Sequence, residues 1–146
     1  MKEISLVVAK IFDVFIGIPK DSVNIVLPLT YESKRATYTF TEIKNLKRVW
    51  GYGVSFKHEG KDIKILDLSA FYRSSGDFHK FKYVIVCNKI AIRVDDIIDI
   101  ENYFFRDIYL FPLYLQRVLN LEYIWGIVID AGDPIYLIDP KILKCD

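Results

Sequence analysis

The chain has 146 residues, of which 52% are hydrophobic and 27% charged, with a formal net charge of +1 and a mean hydropathy of +0.20. That length accommodates one domain or two intimately packed half-domains, and the composition excludes a disordered chain. Near-neutral charge argues against nucleic acid or an acidic lipid surface as partner, and the surplus of apolar residues is available for core and contact surface.

The run Ile4–Ala9, which ends at Lys10, is too short for a signal-peptide core or a membrane span. Ile4–Ile18 as a whole is apolar and interrupted only by Lys10 and Asp13, and it reads as one strand with a well-buried face. Pro19-Lys20-Asp21-Ser22 reads as a turn, and Val23–Leu29 as a second strand ending near Pro28. Thr37–Phe40 alternates well enough for a short strand, and Glu42–Val49 is a helical turn or an extended connector carrying Lys44, Lys47 and Arg48. Trp50–Leu68 reads as a hairpin turning at Gly60, because Gly accepts the positive φ of a tight turn. Ser69–Tyr72 is a plausible helical turn, and Arg73–Lys80 is the most loop-like stretch, where the boundary between halves is expected.

Phe81–Cys87 is one of the strongest strand signals, and Asn88-Lys89 joins it to the strand Ile90–Val94 as a two-residue hairpin loop. Asp95-Asp96 punctuates the chain before Ile97–Ile100 resumes. From Tyr103 to Leu121 two readings stay open: a helix, from the spacing of Leu115, Val118 and Leu119, or an irregular crossover set by Pro112 and the aromatics. Trp125–Leu143 closes the chain as a second Trp hairpin, and Asp139-Pro140 has the chemistry of a helix start.

The chain repeats itself. Trp50-Gly51 and Trp125-Gly126 open similar hairpins 75 positions apart, and Ile16–Val23 parallels Ile90–Ile97 at an offset of 74. Short strands, turns at Gly, Asn and Asp, and little helix point to an all-β fold of two pseudo-repeated small barrels with short helical turns. The approximate halves are residues 1–75 and 76–146 of a single domain, with terminal strands free to swap between them.

Catalytic chemistry is scarce. His58 and His79 sit in polar, turn-like segments, and Cys87 and Cys145 make neither a metal-ligand spacing nor a disulfide framework. Cys87 belongs to the core, and the chain is expected to be cytoplasmic. No phosphate-binding Gly-rich loop and no nucleophile elbow are present, and Asp95, Asp96 and Asp99 read as a solvated strand junction rather than a carboxylate pair. Asp67 and Asp139 recur in the repeat and read as structural caps. No catalytic residue, metal or cofactor is expected; the chain reads as a binding protein.

Four motifs in order, FIGIPKDSVNIVL (Phe15–Leu27), WGYGVSFKHEGKDIKILDL (Trp50–Leu68), YVIVCNKIAIRVDDIIDI (Tyr83–Ile100) and WGIVIDAGDPIYLIDPKIL (Trp125–Leu143), resemble the CheW family of chemotaxis coupling domains. The resemblance implies two small five-stranded SH3-like β-barrels packed together. It also implies a non-enzymatic adaptor or scaffold that links the cytoplasmic domains of chemoreceptors to the regulatory domain of the histidine kinase CheA. Such a protein is cytoplasmic, recruited to receptor arrays without inserting into the membrane, and does not bind nucleic acid. An alternative is a CheW-like interaction module that serves another kinase or a structural role outside chemotaxis.

By the resemblance, Val23 and Ile25 fall on a strand contributing receptor and kinase contacts, and Val84 and Ile100 lie near a receptor-binding groove. The family's hairpin pattern Gly-x-x-Asn-x-Arg-Gly is altered here: Phe56 replaces Asn, His58 or its neighbour Lys57 replaces the functional Arg, and one residue is inserted before Gly60. Neither His nor Lys offers the planar bidentate fork of Arg.

If the second Trp hairpin holds the better-packed core, Trp125→Ala should lower stability by roughly 3–5 kcal/mol and more than Trp50→Ala. Denaturant titration of the two variants measures the difference, and negligible effects at both sites would count against the repeat as a core element.

Overall fold

The computed structural model describes residues 2–28, 31–32, 35–36, 40–41, 52–66, 68, 81–118 and 123–140, with 31–58 and 117–118 described by backbone alone. The chain is built almost wholly of strands. In order these are β1 (Glu3–Ile11), β2 (Val14–Pro19), β3 (Ile25–Pro28), β4 (Tyr31–Glu32), β5 (Arg35–Ala36), β6 (Phe40–Thr41), β7 (Tyr52–His58) and β8 (Lys61–Leu66). Then come β9 (Tyr83–Cys87), β10 (Ile90–Val94), β11 (Asp96–Phe104), β12 (Tyr109–Leu110), the single described helix α1 (Leu113–Val118), β13 (Ile124–Asp130) and β14 (Asp133–Ile138). Short 3-10 turns cover Lys20–Ser22 and Phe105–Asp107.

Two sheets have the same plan. One runs β11-β1-β2-β14-β13-β12 and the other β3-β9-β10-β8-β7-β6; β4 and β5 pair separately. Each sheet has five principal strands plus a two-residue strand at one end, β12 or β6. Position by position, β11 answers to β3, β1 to β9, β2 to β10, β14 to β8 and β13 to β7. The fold is all-β and duplicated.

The compact units do not follow a cut at 75/76. One unit comprises residues 1–23 with 97–146, and the other residues 24–96. Each sequence repeat has therefore given its leading hairpin, β1/β2 or β9/β10, to the sheet of the other repeat. The cause is visible in the ladders. β14 pairs in parallel with β2 (Ile135 opposite Phe15, Leu137 opposite Gly17), and β8 pairs in parallel with β10 (Lys64 opposite Ile90, Ile65 opposite Ala91).

The exchanged hairpins are apolar at their centres, where both faces are covered as in buried parallel sheets. Leu6, Val7, Val8 and Ala9 on β1 are all buried, as are Val84, Ile85, Val86 and Cys87 on β9. In the first unit, Leu6, Val8, Val128, Ile135 and Leu137 form one core cluster, against which Phe15, Tyr103, Ile108 and Trp125 pack. Cys87 lies in the core of its unit, as its apolar setting implied.

Ile4–Ile18 is two strands, not one. β1 and β2 form an antiparallel hairpin in which Ile11 faces Val14, and the chain reverses at Phe12-Asp13, with Phe12 at φ 54°. A Phe in the left-handed region costs roughly 1–2 kcal/mol and gives no turn cue in the sequence. The topologically equivalent loop is Asn88-Lys89, with Asn88 at φ 62°. The turns of β7/β8 and β13/β14, Glu59-Gly60 and Ala131-Gly132, have positive φ at both residues, the pattern of a type I′ turn.

These turns set offsets that differ from those of the sequence motifs. The hairpin turns correspond at 72 positions (Glu59 to Ala131) and the exchanged hairpins at 76 (Phe12 to Asn88). Trp50 and Trp125, 75 apart, are thus not register equivalents. Tyr52 opposite Leu66 matches Ile124 opposite Ile138, and Val54 opposite Ile65 matches Gly126 opposite Leu137. The residue left unpaired between them is Gly53 in one hairpin and Trp125 in the other. Each is a bulge, and turn plus bulge fix the register. The slip from 74 to 76 in the exchanged hairpins is even, so it preserves which side chains point inward.

The expected strand residues 37–39, the connector 42–49, Trp50, the turn 69–72, the loop 73–80, Asp67, His79 and the helix start beyond Pro140 lie outside the described residues. The open reading at Tyr103–Leu121 resolves into both alternatives: an irregular crossover through β12, then the short helix α1, whose first turn is closed by Leu115 and Gln116 N–H groups donating to the Pro112 carbonyl. Asp139 keeps a structural role, accepting a hydrogen bond from Ser22 Oγ at 3.4 Å.

A Cβ at Gly126 would lie 2.9 Å from Ile108 Cγ2 and 3.2 Å from the Tyr109 carbonyl oxygen, which is backbone and cannot turn aside. Gly126→Ala should therefore destabilise by about 1–3 kcal/mol. An unchanged denaturation midpoint would show that β12 is free to move away from β13.

Candidate functional site

The sequence-derived site residues fall in both compact units, Val23 and Ile100 in one and Ile25, Lys57, His58 and Val84 in the other. Val23 is half-buried and follows the 3-10 turn, its N–H donating to the Lys20 carbonyl at 3.1 Å. Ile25 opens β3, exposed, opposite Val86. Val84 faces Leu27 across the same ladder but is 1% exposed. Its side chain packs in the interior because β9 is covered on both faces, so it offers no contact surface. Ile100 lies on β11 and is 50% exposed. Lys57 and His58 end β7 opposite Asp62 and Lys61, immediately before the Glu59-Gly60 turn, and their side chains lie outside the described residues.

Among the described residues no three His, Cys, Asp or Glu side chains gather as a metal site, and no helix is long and apolar enough to cross a membrane. Asp95, Asp96 and Asp99 occupy the start of β11, and Asp99 accepts a hydrogen bond from the Ile100 N–H at 2.7 Å.

Among the described residues, the largest apolar exposure comes from a segment that pattern reading left undecided. Tyr109 and Leu110 on β12 and Leu113 and Tyr114 on α1 are exposed, Leu110 at 74% and Tyr114 at 68%. The segment is held firmly. Tyr109 and Leu110 pair with Ile127 and Gly126, the Phe111 N–H donates to the Trp125 carbonyl at 3.1 Å, and the buried Gln116 side-chain amide donates to the Ile124 carbonyl. The bulge at Trp125 releases carbonyls from the ladder, and the crossover takes them up. A signal was present in the sequence: Tyr109–Leu115 has six apolar residues in seven with no alternation, too apolar for a solvated loop.

Beside this segment, Tyr103 Oη donates to Asp130 Oδ2 at 2.7 Å. Partial burial, then the Asp130 hydrogen bond and charge and the Glu101 charge, push the Tyr103 phenol well above its usual value of 10.0. As pH rises past that value the unfolded chain ionises first. The stabilisation is complete below pH 10 and is lost as pH rises towards the folded-state value. Tyr103→Phe should therefore flatten the alkaline fall in melting temperature; the same slope in both proteins would show that this tyrosine is not responsible.

No family model matches the chain, and no curated protein matches it in sequence. Among solved structures, that of the scaffolding protein TtCheW from Thermoanaerobacter tengcongensis is similar over 94% of this chain and 89% of that chain, at 17% identity and a TM-score of 0.71. The chain has a CheW-like fold.

Proposed function

We propose that this protein is a non-enzymatic adaptor of chemotaxis signalling, a divergent relative of CheW that joins the cytoplasmic domain of a chemoreceptor to the regulatory domain of the kinase CheA. The observation that carries this reading is the likeness to a scaffolding protein over nearly the whole chain. Two features of the chain support it. The preorganised apolar platform Tyr109, Leu110, Leu113 and Tyr114 is the kind of surface that marks a protein interaction site. Its aromatic members are the residue type that dominates binding energy at interfaces. Ile25 in the one unit and Ile100 in the other are exposed at the ends of their sheets and offer apolar contact area of their own. Such an adaptor works in the cytoplasm, at the membrane array but not in the bilayer.

A second reading, service to a different kinase or a structural role, is favoured by one observation: Phe56, Lys57 and His58 stand where the family hairpin carries its Asn and Arg. The binding assay separates the two. Titration with a CheA regulatory domain and with a receptor-tip fragment should show binding to at least one, weakened about tenfold or more by Leu110→Asp, which sits on the surface and spares the core. Binding to neither fragment ends the chemotaxis reading, and capture of an unrelated kinase domain would replace it with the second.

A further inference from the structure

β11 is a long strand that, among the described residues, has a single neighbour. It stands at the end of its sheet beside β1 and spans nine residues, Asp96–Phe104. Backbone N–H groups along a strand alternate between its two edges. The Phe105 N–H, just past the strand, donates to the Lys2 carbonyl at the start of β1, so the odd-numbered N–H groups face β1 and the even-numbered ones face away. An independent contact agrees: the Ile100 N–H donates to Asp99 Oδ1 at 2.7 Å, a local bond open only to an N–H outside the ladder. Burial agrees as well. Ile98, Asp99 and Ile100 are exposed in succession, so both faces of the strand are open there, with Ile98 at 47% and Ile100 at 50%.

We propose that this free edge receives an extended polypeptide strand in which apolar and basic residues alternate. Backbone pairing to Ile98, Ile100 and Asn102 would supply affinity, and the two faces of β11 would supply specificity. Apolar side chains of the incoming strand would lie beside Ile98 and Ile100. Its basic side chains would lie on the other face, beside the exposed Asp99 and the half-buried Glu101. β11 carries no Lys or Arg of its own. A second copy of the chain is a poor occupant, because pairing β11 with itself would set Asp99 and Glu101 against the same acids. Asp99 also acts as a removable stopper: a Lys or Arg arriving next to its carboxylate competes for it and releases the Ile100 N–H for pairing. The inference does not depend on the adaptor reading: it shares Ile100 with that contact surface but rests on backbone pairing along β11 and concerns a different kind of partner.

The test uses the full-length protein and a fluorescent peptide alternating valine and lysine, followed by anisotropy. Binding is expected, weakening as salt is raised. A peptide alternating valine and glutamate should bind at least about tenfold more weakly, since it replaces attraction at Asp99 and Glu101 by repulsion. Two further peptides, N-methylated on one or the other alternate set of amides, leave the protein untouched. Only the set that faces β11 should abolish binding. Ile100→Pro, which removes an N–H outside the ladder at a position where an edge strand tolerates proline, should abolish it as well. The proposal is overturned by no binding of the valine–lysine peptide, by equal binding of the acidic peptide, by equal effects of the two N-methylated sets, or by self-association of the protein through β11 in place of peptide binding.

Discussion

Everything in this fold depends on the two parallel ladders that join strands of different repeats. β2 pairs with β14 and β10 with β8, while the partner strands of the same hairpins, β1 and β9, pair with β11 and β3. Each exchanged hairpin therefore fills the centre of a sheet whose flanks come from the other repeat. Remove β1/β2 and β11 loses its only neighbour, while β14 keeps only β13. Neither repeat can assemble this six-stranded sheet from its own strands, because the centre belongs to the other. The register contact of Phe15 with Ile135 closes a loop of most of the chain length, a non-local pairing whose entropy must be met before its reward is collected. The reward is burial: among the described residues the exchanged hairpins hold the longest buried runs, with Leu6–Ala9 and Val84–Cys87 covered without a gap.

The second constraint is the bulge at Trp125. A bulge leaves one residue outside the ladder and turns its neighbours' carbonyls away from it. Here those carbonyls, at Ile124 and Trp125, accept from Gln116 and Phe111, so the defect in β13 anchors the crossover β12–α1. Gly126, next to the bulge, lets Ile108 and the Tyr109 carbonyl approach at distances that a side chain would forbid. Leu110, Leu113 and Tyr114 are thus exposed on a fixed backbone. A binding face built this way has met part of its ordering entropy in folding, which leaves less to be met on association.

The fold was legible in the sequence wherever polar punctuation coincided with a turn. Gly60, Asn88 and Gly132 mark three hairpins, and the duplication itself showed in repeated motifs. Legibility failed where the punctuation was apolar: Phe12 turns the first hairpin with no composition cue, and the unbroken burial of Leu6–Ala9 leaves β1 no alternation to set it apart from β2. It failed differently at Trp-Gly, the most visible repeat. The eye aligns Trp50 with Trp125, but hydrogen bonds align turns and bulges, and by that measure Trp125 answers to Gly53. Of the residues placed by the family resemblance, Ile25 and Ile100 are exposed and Val84 is buried; nothing in a short apolar run tells whether one face or both are buried. The platform at 109–114 was passed over because a helix and a crossover were weighed as rivals, and the chain uses both.

Duplication also explains why one edge is available for pairing and its counterpart is not. β3 and β11 hold the same place, each at the end of its sheet beside an exchanged hairpin, and each exposes isoleucine: Ile25 in one, Ile98 and Ile100 in the other. Such edges invite unwanted pairing unless they are blunted. In β3 the blunting is covalent: the strand is four residues long and ends in Pro28, which has no N–H to offer. In β11 it is a hydrogen bond from Ile100 to Asp99 on a strand more than twice as long. Proline closes an edge permanently, whereas a carboxylate closes it until a competing cation arrives. Under the proposed pairing, the reversible closure lies on the strand that carries Asp99 and Glu101, the acids a basic partner would meet.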